Sequence, residues 1–202
     1  MNKRPYDAQQ LKELLLQMME TELGGEQVYR TALACVKNDD LRHEWEGYLQ
    51  ETLSHQNVVR STCEALGIDC DENCASRQIV KLIGDSLVKA MAQASKTTDA
   101  NVAQLVACEC VVHAETKDQA NWELLGKLAE AATGETRKIL DDAYSSVAND
   151  EQHHLFHTKG WCRELWIEQL GMPAVLPPPE EVKQVASAIG ASRAEQQRKQ
   201  ML

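Results

Sequence analysis

Between Pro5 and Pro173 the chain contains no proline. Proline removes a backbone donor and clashes with the preceding helical turn, so its absence over this stretch permits long helices. Alternation of β-branched with polar residues is also rare there, which argues against strands. Basic clusters large enough to track a phosphate backbone are missing and the formal net charge is −10, which excludes nucleic acid as an expected partner. No apolar run approaches the roughly 18 residues of a membrane span. The opening segment, MNKRPYDAQQLKEL, stays polar where a signal peptide needs its apolar segment. A soluble and, most simply, cytoplasmic protein without membrane contact is expected.

A disulfide framework is missing too. The seven cysteines (Cys35, Cys63, Cys70, Cys74, Cys108, Cys110 and Cys162) are odd in number and irregularly spaced. In a reducing compartment they serve as small buried hydrophobes. Cys70 and Cys74, in CDENC, have the spacing of a zinc half-site, but no second half follows, and a plain loop is the simpler reading. Paired Cys-x2-Cys half-sites do not occur, so no rubredoxin-type electron donor is built into the chain.

What is present reads as helix throughout. The 202 residues suit one all-α domain with a tail, divided here as 1–172 and 173–202. Breaks fall at KNDD (37–40), LGIDCDENCAS (66–76), SKTTD (95–99) and TGET (133–136), each with residues that cap or turn. They leave long helices over about 7–37, 40–66, 99–132 and 135–170, with a shorter one, SRQIVKLIGDSLVKAMAQ, in the connection. After GMPAVLPPP comes a short amphipathic segment, EEVKQVASAIG, and a polar end expected to fray. Two helical hairpins joined by one long crossover is the connectivity of ferritin-like bundles.

Each long helix interrupts its apolar stripe with a carboxylate. The first has L11-x2-L14-L15-x2-M18-x3-E22-x2-G25-x3-Y29, and the second W45-x2-Y48-x2-E51-x3-H55-x2-V58. The third has C108-x2-V111-V112-x2-E115-x6-W122, and the fourth A148-x2-E151-x2-H154-L155-x2-T158-x2-W161. A carboxylate facing a core has to be paired, protonated or bound to a cation. The six donors also match in depth. Glu22 lies 17 residues before the turn at Asp39, with Glu51 and His55 12 and 16 after it. Glu115 lies 19 residues before the turn at Gly134, with Glu151 and His154 17 and 20 after it. At about 1.5 Å of rise per residue, each hairpin brings its donors to within roughly a turn and a half in height. Glu26 sits nearer the solvent edge and is the lesser candidate. Glu109 with His113 is expected at the bundle edge, and His153 with His157 along a polar seam. Tyr29, Tyr48, Trp122 and Trp161 are read first as core aromatics. For redox relay Tyr29 is the choice, and His157 for a hydrogen bond to a ligand.

These segments resemble the ferritin-like superfamily over about residues 7–170. ELGGEQVY (22–29) has the Glu-x6-Tyr of ferritin and rubrerythrin first helices. ECVVHAETKDQANWELLGKLA (109–129) looks like the third helix of animal ferritins, and ETLSHQNVVRSTCEALG (51–67) is similar to the second helix of bacterial stress-induced ferritin-like proteins. The resemblance implies a four-helix bundle holding two iron ions, or manganese or a mixed pair. It implies Glu22, Glu51, His55, Glu115, Glu151 and His154 as ligands, and O2 or peroxide as the small-molecule substrate. Oxidase, ferroxidase and peroxidase chemistry begin alike, and the electron donor is not readable. One departure from the pattern is Glu-x3-His on the second helix where the family has Glu-x2-His. Glu51 then reaches by its extra length, or the site is asymmetric, or only one metal binds tightly. The alternatives are iron storage and a metal-free helical stress-related interaction module. Animal ferritins lack the histidine of the fourth helix, which ranks storage lower. A homo-oligomer, with a dimer favoured, is expected.

Overall fold

The computed structural model describes residues 6–202. Residues 1–5, which open the segment MNKRPYDAQQLKEL and the expected 1–172 unit, lie outside the described residues. The helices are α1 (Ala8–Cys35), α2 (Asp39–Ala65), α3 (Ala75–Thr97), α4 (Ala100–Ala131), α5 (Gly134–Gln169), α6 (Pro179–Val182) and α7 (Ala188–Gln197). There is no strand among the described residues, and no helix is long and apolar enough to cross a membrane. The starts of α1, α2 and α4 are set by side chains: Asp7, Asn38 and Asp99 each accept from backbone N–H groups of the first turn. At the far end of α5, Gly171 takes a φ of +74, which lets the amide of Met172 return to the carbonyl of Ile167.

α1, α2, α5 and α4 stand at the four corners, each antiparallel to its neighbours. Cross-helix contacts show the register. Lys37 and Asn38 at the end of α1 donate to Gln104 near the start of α4, while Trp122 further along α4 meets Glu22. Tyr48 pairs with His157 and His55 with Asp150, so α2 and α5 also run in opposite senses. α3 is the crossover. It lies outside α1 and α4 and runs parallel to α1, with Ser76 at Glu13 and the Cys35 thiol at the carbonyl of Met91.

Two apolar clusters fill the bundle. One holds Tyr29, Leu41, Trp45, Val111 and Trp161, and the other Leu15, Met18, Val59, Trp122 and Leu140. On every corner helix buried polar residues stand between these clusters, so a polar layer divides the core. The C-terminal segment departs from the expectation. EEVKQVASAIG is not one helix: Gln184 at φ +50 ends the single turn α6, and Ser187 caps a new helix. That helix stops at Gln197 and a 3-10 turn over Arg198–Gln200 follows, and this polar end docks instead of fraying because Arg198 reaches the buried Glu164 on α5 at 2.7 and 2.8 Å.

Candidate metal centre

The polar layer is built from one or two residues per corner helix. α1 contributes Glu22, α2 His55, α4 Glu115 and α5 Glu151 and His154, all buried. Each takes an inward position of the stripe that packs its helix, so burial of Leu15, Met18, Trp122 and Trp161 carries these polar groups inside with them. They form two groups whose donor atoms lie within 4.8 Å of one another: Glu22, His55 and Glu151, and Glu115, Glu151 and His154. Glu151 belongs to both.

The histidines point the same way. Nδ1 of His55 lies 2.9 Å from Glu151 and 3.8 Å from Glu22, and Nδ1 of His154 lies 3.5 Å from Glu115 and 3.7 Å from Glu151. Neither Nδ1 finds an aligned hydrogen bond. Each Nε2 instead meets a carboxylate at the rim, Asp150 at 3.3 Å for His55 and Glu51 at 2.6 Å for His154. A carboxylate accepts, so each Nε2 carries its proton and each Nδ1 is the nitrogen free to bind a cation. Trp122 donates to Oε1 of Glu22 at 3.0 Å and leaves Oε2 unpaired.

Many buried donor atoms here have no hydrogen-bond partner. They are Oε2 of Glu22, Glu115 and Glu151, Nδ1 of His55 and His154, and Oδ1 of Asp118. Burial, and next the charge of Asp118, push the Glu22 carboxyl well above its ordinary range. Burial raises Glu151 and Asp118 as well, with their carboxylate neighbours adding to it. For His154 burial works against protonation, but Glu115 and Glu51 outweigh it and hold the imidazole well above its usual value. His55 shifts the same way, burial being outweighed by Asp150 and Glu151. Without a metal, burial and mutual repulsion favour the protonated forms of Glu22, Asp118 and Glu151, and the carboxylates favour those of His55 and His154.

The remaining expected residues are placed as follows. Glu51 is outside both groups, its side chain 45% exposed, and reaches only the outer nitrogen of His154. The inward position three residues before His55 is held by Thr52, which is buried and donates to the carbonyl of Tyr48. Glu26 sits at the edge with Arg30 and Gln56, and Glu109 is exposed beside Trp166. Tyr29 is buried and lies edge-on to the ring of His154, its hydroxyl without a partner. His157 pairs not with a candidate ligand but with Tyr48: the Val185 carbonyl takes the proton of Nε2 at 3.1 Å, so Nδ1 accepts from the Tyr48 hydroxyl at 3.2 Å. Tyr48 in turn packs against the His154 ring with centroids 4.2 Å apart. His153 stacks on His157. No cysteine enters either group, and Cys74 meets Ser76.

Sequence reasoning missed Asp118 and Asp150. Both had a signal, since Asp118 lies one turn beyond Glu115 on the same face and Asp150 lies four residues before His154. No family model, curated protein or solved structure matches the chain.

Proposed function

We propose that this protein is a di-metal carboxylate bundle of the ferritin-like kind, holding two iron or manganese ions and reacting with O2 or peroxide. The observation that carries the reading is the set of unpartnered, buried oxygen and nitrogen atoms converging from four helices. An apolar core does not tolerate such atoms unless something from outside satisfies them. Carboxylate oxygens with two imidazoles suit iron and manganese better than zinc, which takes fewer ligands and often thiolates.

Glu22, His55 and Glu151 would hold one ion and Glu115, Glu151 and His154 the other, with Glu151 shared. When bound, a reduced metal pair supplies electrons to O2 or peroxide. The chain's own residues do the rest. Asp150 and Glu51 keep the two imidazoles turned with Nδ1 inward. Trp122 fixes one oxygen of Glu22. Tyr29, Tyr48 and Trp122 wall the site and keep bulk water from it, and the Tyr48 hydroxyl is set by His157. Binding displaces the protons that the carboxylates and Nδ1 atoms otherwise hold, so affinity rises with pH. α3 presents Ile79, Leu82 and Ile83 to solvent, an apolar face that favours assembly as a homodimer over a monomer.

The test is anaerobic loading with ferrous or manganous ion followed by elemental analysis, with about two ions per chain expected. Exposure of the ferrous form to O2 or hydrogen peroxide should convert it to ferric iron, read by Mössbauer spectroscopy. A chain that stays metal-free removes the reading. Two bound irons inert to both oxidants leave a structural centre. Light scattering separates a dimer from a storage cage.

A further inference from the structure

Asp118 lies one turn beyond Glu115 on α4, and the residues around it fix its surroundings. Asn121, three residues on, donates to Thr21, and Trp122, four residues on, donates to Glu22. This face of α4 therefore lies against α1 at the level of Glu22. Asp118 is 5% exposed, and its Oδ1 has no hydrogen-bond partner. The nearest cation in sequence, Lys117, gives its ammonium to Asn121 instead. Asp118 supplies the strongest carboxylate repulsion that Glu22 feels, ahead of Glu151. Its own carboxyl feels Glu151 and Glu115.

α2 shows the complementary lack. On a helix the residue three before His55 shares its face, and there Thr52 is buried, its methyl 3.4 Å from where a Cβ of Gly25 would stand. No carboxylate of α2 points inward, because Glu51 leans to the rim. Glu22, Glu115 and Glu151 alone give three negative charges against the four positive charges of two divalent ions. Asp118, outside both three-residue groups, is the buried fourth on the α4 face that lies against α1.

We propose that Asp118 is a metal-binding carboxylate of this centre, standing in for the inward carboxylate that α2 lacks at Thr52. The assignment rests on the di-metal reading above. A carboxylate kept for packing alone would have a donor from the protein, as the side-chain oxygen of the neighbouring Asn121 has in Lys117. Asp118 has none, and it faces the one helix-α4 surface that already carries Glu115.

The experiment uses the full chain stripped of metal and titrated anaerobically with cobalt(II), followed by visible absorption and calorimetry, with the melting temperature of each metal-free variant. The wild type is expected to bind two ions. Asp118→Asn should lose one of them or weaken it by at least ~100-fold, more than a group that only orients a ligand costs. The metal-free variant should stay folded by circular dichroism and melt close to the metal-free wild type. Thr52→Glu added to Asp118→Asn should restore the second ion. Two ions bound unchanged by Asp118→Asn overturn the assignment, as does a metal-free variant that melts lower or fails to fold, which marks a structural role. Loss in the single variant without recovery in the double overturns the stand-in for position 52. A wild type that binds no cobalt removes the di-metal reading itself, and this assignment with it.

Discussion

Glu22 and Glu164 are the same residue type, both in the core and both without exposed surface, yet their carboxyls move in opposite directions. Burial raises Glu22, and Asp118 and Glu151 raise it further. At Glu164 burial pulls the same way, but Arg198, the Val175 amide and Arg163 outweigh it and bring the carboxyl below its ordinary range. Arg163 also takes the buried Glu180 in a two-pronged contact of 2.6 and 2.9 Å. Room for this contact exists because residue 160 is glycine: a Cβ there would stand 2.6 Å from a Glu180 oxygen. Where the fold uses a buried carboxylate as a clasp for the tail, it supplies its own cations. In the polar layer it supplies no guanidinium or ammonium, only the imidazoles of His55 and His154. The difference leaves carboxylate oxygens unpartnered in the layer, where a metal ion could be held.

The largest expected effect breaks that comparison at its shared residue. Glu151→Gln should lose both metal ions while the chain stays folded, measured by elemental analysis and circular dichroism. Retention of two ions would sink the assignment of Glu151 to both groups. On helix α1, Glu22→Ala should lose one ion and Glu26→Ala none; the reverse outcome would place the helix in the wrong register.

The tail clasp should respond in the opposite way. Arg163→Met leaves Glu180 buried without its cation and should cost roughly 2–3 kcal/mol in urea unfolding, the low side for a broken buried pair because Arg163 keeps a quarter of its surface in water. Metal content should not change. A loss of metal without loss of stability would show that the two regions are not separate.

Acidity sharpens the contrast further. Glu22, Asp118 and Glu151 have folded pKa values above the unfolded ones, so the stability they contribute is full below their ordinary values, 4.5 for the glutamates and 3.8 for Asp118, and is lost as pH rises. His55 and His154 act in the same direction, above about 6.5. The lowered carboxyls of Glu44, Asp150 and Glu164 lose their contribution only as pH falls below the ordinary carboxylate range; Glu181, raised to about 7, follows the trend, and the lowered His153 and Cys70 oppose it. The metal-free protein should therefore melt lower at about pH 8 than at about pH 5.5, and metal should reverse the order. Scanning calorimetry at the two pH values, with and without ferrous ion, reads this directly. A flat metal-free profile would mean that the layer has found partners of its own.

The smallest effect belongs to the rim. Glu51→Gln should keep both ions and lower affinity by about 10-fold, because Glu51 meets only the outer nitrogen of His154. Complete loss of an ion would return Glu51 to direct coordination.

Much of the bundle was legible beforehand because helix signals are local. The proline-free stretch, the capping Asp7, Asn38 and Asp99, and the breaks at 66–76 and 95–99 all lie where the helices begin and end. The inward placement of Glu22, His55, Glu115, Glu151 and His154 was legible for a related reason, since a polar residue in an apolar stripe shows in one helix alone. Glu51 was expected on the inward face and lies half-exposed at the rim, because positions three and four before His55 both suit the stripe of α2 and only packing against α1 and α5 decides which turns inward. That residue is Thr52.

The tail was the least legible part. Nothing local joins Arg198 to Glu164, which are 34 residues apart, and a polar segment without its partner has no reason to hold a shape. The sequence by itself determined the helices, their order and the level at which acids and imidazoles enter the core, because periodicity and capping act within a few residues. Only the tertiary structure decided which carboxylates meet a guanidinium and which meet one another. That choice depends on distances of a few ångströms between helices, where charge and burial act together.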